Sequence, residues 1–334
     1  MADLKTRIEK WDNLKFILIF LVVLGHICDM YTKRTETVSS LIFFIYIFHM
    51  PLFLFVSGLF SKKNIDNKRY HNIILYFVLY IVIKFVCSIS NAIFYQRFNF
   101  SLLTEGGIPW YAFALFAFSL ITIALRSFPK RYIVIASVLL ACFAGYDNSL
   151  SDFLVMSRII VFYPFFFMGY CADSNKVNDI LSKKHIKIIS AIMLILLAVF
   201  IVMFIDKIGI FSVLMTGRNP FSKLGDYAKY GAALRLIYYF VVFLVGAMVI
   251  SVTPEKTYKG LMAKWGSRSV QVFVLHKFFM DLFYAGFGAN SIMAKICPSH
   301  PKLLIFPLTI LIVAICSLKI WEPLFDRVLK PKEK

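Results

Sequence analysis

The sequence predicts an all-α fold, a polytopic transmembrane helical bundle, and three observations carry that expectation. Of the 334 residues, 60% are hydrophobic, whereas soluble domains sit nearer half. The apolar residues come in blocks of about 17–23, the length a helix needs to cross a hydrocarbon core of roughly 30 Å. The third observation is a charge asymmetry between alternate connections, which orients the bundle.

About ten spans can be drawn, at 14–30, 39–60, 72–94, 109–126, 131–147, 153–172, 186–205, 232–252, 269–287 and 303–321. With the N-terminus in the cytoplasm, the inner segments carry 23 Lys and Arg and the outer segments 10. That follows the positive-inside rule and places both termini in the cytoplasm. Removing one helix would scramble the pattern. Residues 1–334 read as a single transmembrane domain with no appended soluble domain, repeat or heptad run. The first apolar run is preceded by Trp11-Asp12-Asn13 and lacks a small-residue cleavage site after it, so the N-terminus is expected to be retained. The outer segment Asp206–Gly231 holds a short apolar piece, IGIFSVLM. It cannot span, and reads as interfacial or re-entrant.

The net charge of +19 would suggest nucleic acid in a soluble chain. In a membrane protein it reflects basic cytoplasmic loops facing anionic lipid, and no nucleic-acid partner is expected. The six cysteines are scattered and none has metal spacing, so they read as small core residues and no metal is expected.

Once loops and helix ends are set aside, few titratable groups remain within the spans: His26, His49, Lys84, Arg158, His276 and Lys277. An ionised group at mid-bilayer costs roughly 2.5–3.5 kcal/mol, so such groups face the bundle interior or snorkel from an end. Lys84 fits either reading. His26 and His49, in consecutive helices, point to function. Lys15 and His26 are eleven residues apart, within about 20° of one helix face and about 16 Å along the axis. That sets Lys15 at the cytoplasmic mouth and His26 near the midplane. Asp12 and Asp29 lie at neighbouring angles, although Asp29 also suits a plain helix end. His49 returns to a similar depth. Ser57-Gly58 permits close helix approach. Beyond it Lys62, Lys63, Lys68 and Arg69 form a basic patch, which sets topology and also suits phosphate.

At these residues the chain resembles a known family. DNLKFILIFLVVLGH and FHMPLFLFVSG are similar to motifs of the integral-membrane acyltransferase-3 family, and within it to the fucose 4-O-acetylase-like group. PWYAFALF, RIIVFYPFFFMGY and WGSRSVQVFVLHKFF agree in order along the chain. The resemblance implies a bacterial inner-membrane, multi-pass O-acetyltransferase that takes acetyl-CoA from the cytoplasm, as co-substrate rather than a permanently bound cofactor, and modifies a sugar of a surface glycan or its precursor. It implies that His26 is the essential histidine, Lys15 its basic partner, and His49 and Arg69 part of the same region. Arg158 and His276 match family positions, whereas Lys277 stands where Pro is usual. A second arginine common after the second helix is replaced here by His71-Asn72, leaving Lys62, Lys63 or Lys68 to substitute.

The chemistry agrees. Acyl transfer to a hydroxyl needs a base for the proton and a donor or charge for the oxyanion. A neutral imidazole supplies the first. Direct transfer with His26 as base is the reading, and a transient acetyl-histidine is the other route. Lys62, Lys63, Lys68 and Arg69, with Arg158, are expected to serve the CoA phosphates or developing charge, while Arg218, Asp226, Tyr227 and His276 are expected at the acceptor. The alternative is a transporter or flippase for a glycan precursor or small solute. Against it, no inverted repeat is visible and, on this reading, no acid within the spans partners the buried bases.

Overall fold

The computed structural model describes residues 9–31, 35–150 and 152–329. The basic residues Lys5, Arg7, Lys33, Arg34, Lys330, Lys332 and Lys334, which enter the charge count, lie outside them. Among the described residues the only regular secondary structure is helical, and a helix occupies each of the ten expected stretches. They are α1 (Glu9–Met30), α2 (Glu36–Asp66), α3 (Tyr70–Tyr95), α4 (Trp110–Leu125), α5 (Lys130–Ala144), α6 (Met156–Cys171), α8 (Lys184–Ile208), α10 (Gly231–Val252), α12 (Ser269–Asp281) and α14 (Ile305–Cys316). Shorter pieces connect them: α7 (Ser174–Leu181), α9 (Ser212–Met215), α11 (Leu261–Gly266), α13 (Ala289–Ile296) and α15 (Glu322–Leu329).

Length divides the ten. Five helical stretches are long and apolar enough to cross a membrane, and up to seven if each of two bent pairs counts as one span. α4, α5 and α6 have 15 or 16 residues, about 24 Å of rise at most. The stretch expected at 269–287 stops being α-helical at Asp281, passes through a π-turn at Leu282–Gly286 and turns by 66° into α13. The final stretch is α-helical only over α14 and bends by 41° beyond it.

The bundle exposes apolar side chains along its outer helices and buries most of its charged mid-helix groups among an apolar core. On α8 only 17% of the most apolar window is buried, and Ile189, Ile195, Val202 and Met203 stand exposed along it. On α1 and α2 the share is 56%.

α2 and α6 meet most closely. A Cβ on Gly58 would lie 2.0 Å from the Phe166 carbonyl oxygen, and one on Gly169 would lie 2.0 Å from that of Phe55. Only glycine lets two backbones approach so near. Both helices contain an interior proline, Pro51 and Pro164. Pro51 has no N–H for the Ile47 carbonyl, and the Tyr238 hydroxyl on α10 donates to that oxygen at 3.3 Å. Next to the corresponding gap in α6, Tyr239 donates to the Val161 carbonyl.

Candidate active site: cavities in series along one face of α2

One stripe of α2 lines three cavities in turn. Glu36, Ser39, Phe43 and Tyr46 border a cavity of about 430 Å³. Tyr46, His49 and Met50 border the largest, of about 690 Å³. Met50, Phe53, Ser57 and Phe60 border a third of about 270 Å³. The spacing is that of a single helix face. Tyr46 therefore belongs to two cavities and Met50 to two. The largest lies toward the 97–109 loop, here the loop end, and the smallest toward the α2–α3 turn.

Three histidines converge at the large cavity. His26 and His49 line it. His276, fully buried, lies behind His26 with ring centroids 5.5 Å apart and planes 22° from parallel. The Nδ1 atoms of His49 and His276 lie 2.9 and 3.0 Å from the carbonyls of Ile45 and Val272, one turn back in their own helices. A carbonyl only accepts, so each ring donates from Nδ1 and, when neutral, keeps its lone pair on Nε2. For His49 that nitrogen is the one left for the cavity. The Nε2 of His276 is enclosed without a partner.

Acids do partner the buried bases, which corrects the expectation from sequence. Lys84 Nζ lies 2.8 Å from Glu105, both side chains under 10% exposed. Lys277 pairs with Asp281 one turn on. Asp281 is fully buried and also accepts from Ser90 at 2.5 Å and Tyr95 at 3.1 Å. Asp29 lines the cavity and accepts from Tyr46 at 2.5 Å. Asp281 was legible as the i+4 partner of Lys277. Glu105 was not, because it enters from a connecting loop.

That loop roofs the large cavity, and α3 holds it down. Tyr80, Lys84 and Ser88, spaced at i, i+4 and i+8, donate to the carbonyls of Leu102, Ser101, Thr104 and Asn99. The stripe supplies donors that irregular backbone lacks at membrane depth. From the other side, Arg158 donates to the carbonyls of Glu105 at 3.4 Å and Gly106 at 3.2 Å, and Arg218 pairs with Asp152 of the facing loop. Backbone bonds Glu105 N–Asp152 O and Leu154 N–Leu103 O complete the seam.

The expected phosphate cluster therefore divides. Lys63, Lys68 and Arg69 are exposed, and Lys62 half-buried, at the α2–α3 end. Arg158 is near the other end of α6 and lines the large cavity, so it cannot share a phosphate with them. This corrects its grouping. Lys15 lines the small cavity, 3.3 Å from Asp12 and 4.4 Å over the Phe60 ring. It does not reach His26. Asp226 and Tyr227 are exposed in a 3-10 segment, Tyr227 against Phe211, and neither lines the large cavity. From the expected outer segment, 206–231, it is Met215 and Thr216 that line the cavity instead. Arg235 is fully buried in α10 and donates to the Leu214 carbonyl at 2.7 Å.

Together these features define a helical membrane protein whose buried histidines and ion pairs are enclosed beside cavities that share Tyr46 and Met50. The acyltransferase-3 sequence model, described as an acyltransferase domain, matches residues 8–321, and the chain belongs to that family. It is 29% identical over 186 residues to the nodulation protein NolL of Sinorhizobium fredii (strain NBRC 101917 / NGR234), a match covering 51% of this chain and 50% of that protein. The chain thus aligns with about half the length of this curated relative. No solved structure matches.

Proposed function

We propose that the protein is an inner-membrane O-acetyltransferase that moves acetyl from cytoplasmic acetyl-CoA to a hydroxyl of a glycan sugar, as the fucose 4-O-acetylase-like resemblance implies. The observation that carries the reading is the pair of cavities sharing Met50, with His26 and His49 on the wall of the larger. Ten spans with both termini in the cytoplasm put the α2–α3 end inside. Acetyl-CoA then enters there, its phosphates on Lys62, Lys63, Lys68 and Arg69 and its thioester arm in the small cavity past Lys15. The acceptor enters from the loop end.

In direct transfer His26 takes the proton of the acceptor hydroxyl as its oxygen bonds the acetyl carbon. The carbon–sulfur bond then breaks, and the proton passes to the departing thiolate. The charge developing on the acetyl oxygen falls to neutral donors of the wall, such as the Asn91 amide. Base catalysis of this kind is worth about 10²–10⁴ in rate.

The test supplies labelled acetyl-CoA to inside-out vesicles and follows label into extracted native glycan. Wild type should label it and His26→Ala should not. A blank wild type would refute transfer, and equal labelling by the variant would refute the role of His26. Arg69→Ala should raise the KM for acetyl-CoA, and an unchanged value would move the phosphate site.

A further inference from the structure

Every formal charge on the wall of the large cavity is already met by the protein. Lys84 is held by Glu105 and Lys277 by Asp281. Asp29 accepts from the Tyr46 hydroxyl. Arg158 gives its terminal nitrogens to loop carbonyls, lies 5.0 Å over the Trp110 ring, and has its Nε enclosed. The lining carries three cations (Lys84, Arg158, Lys277) and three anions (Asp29, Glu105, Asp281), so the formal charges cancel. What is left to meet a ligand is hydroxyl and amide, including Asn91, Asn99, Ser101 and Thr216. At the α2–α3 end the opposite holds, with four basic residues clustered at the surface.

An anionic group entering the large cavity would lose its water and find no uncommitted cation among the described residues, which is costly. A polyol would exchange water for hydroxyl and amide partners. We infer that the acceptor group seated in the large cavity is an uncharged glycosyl residue, and that the pairs Lys84–Glu105 and Lys277–Asp281 enforce this by keeping the wall neutral. This rests on the acetyl-transfer reading and names its substrate class. Any phosphate, nucleotide or acidic sugar joined to the acceptor stays outside the cavity.

The first arm of the test labels native glycan as above, cleaves it under conditions that spare esters, and identifies the acetylated residue by mass spectrometry. A neutral sugar is expected. Acetyl on a uronic, sialic or phosphorylated residue overturns the inference while leaving acetyl transfer standing. No label on any glycan refutes transfer itself, and the inference with it. The second arm compares the neutral acceptor found in the first with its C6-carboxyl analogue. In Glu105→Gln, which leaves Lys84 uncompensated, the carboxylate-to-neutral ratio of kcat/KM should rise at least tenfold. The double variant Lys84→Gln/Glu105→Gln, neutral again, should return the ratio to that of wild type. A general loss of structure would lower both acceptors together. An unchanged ratio in Glu105→Gln overturns the inference.

Discussion

The large cavity at the loop end and the small one at the α2–α3 end share Met50 but little else. The first is about 690 Å³ and is walled by two buried ion pairs, two histidines and a loop pinned from both sides. The second is about 270 Å³, apolar but for a few hydroxyls, with Lys15 at its rim. The large cavity holds charge that has been neutralised in place. The small one opens beside charge left at the surface. The difference teaches that burial alone does not define a site here. What distinguishes the two ends is that Lys84 and Lys277 are held by acids at the wall, whereas Lys63, Lys68 and Arg69 stand exposed.

The sharpest way to break this contrast is at its centre. His26→Ala should lower acetyl transfer by about 10²–10⁴ with the helical circular-dichroism spectrum unchanged. Residual activity within tenfold of wild type would move the base elsewhere. Met50→Trp fills the shared wall and should cost about 10², the penalty of displacing reactants by an ångström or so. Both substrates should still bind, measured by isothermal titration of acetyl-CoA and by acceptor protection. Lys15→Met belongs to the small cavity alone. It should raise the KM for acetyl-CoA several-fold and leave that for the acceptor untouched, and a change in both would erase the distinction between the ends.

The smallest effect should come from the exposed pair Lys187–Glu255, 2.6 Å apart. The hydrogen bond from Lys187 holds the Glu255 carboxyl below its usual range. Its slight stabilisation is present at neutral pH and lost as pH falls through that lowered value. Lys187→Met should flatten this part of the melting curve against pH and leave transfer rates unchanged, since surface pairs are worth little.

The ten helices were legible as apolar runs, although only five to seven stretches reach the length that bilayer thickness dictates. Their ends were less so. Nothing in FFMDLFYAGFG announces that α-geometry yields to a π-turn at Leu282. His26 and His49 stood out because imidazole is expensive in lipid. Asp281 could be found despite the apolar run around it, because Lys277, one helical turn before it, needs just such a partner. Glu105 and the donor stripe Tyr80, Lys84, Ser88 depend on a loop folding back, which only tertiary structure decides. Arg158 was legible as a buried base but not as a residue of the loop end, because its partners are backbone carbonyls and leave no trace in side-chain pattern.

The close approach of α2 and α6 at Gly58 and Gly169 has a mechanical consequence. Seven residues above it, about 10 Å along α2, Pro51 already lacks the restraining bond to Ile47. A helix bends most cheaply where a proline has broken its ladder. α2 is therefore a lever with its lower arm clamped by backbone contact and its fulcrum at Pro51. Flexing carries His49 and Tyr46 with the upper arm, while the lower arm, with Ser57 and Phe60, keeps its register against α6. One helix thus gives the wall of the large cavity compliance and the small cavity a fixed wall.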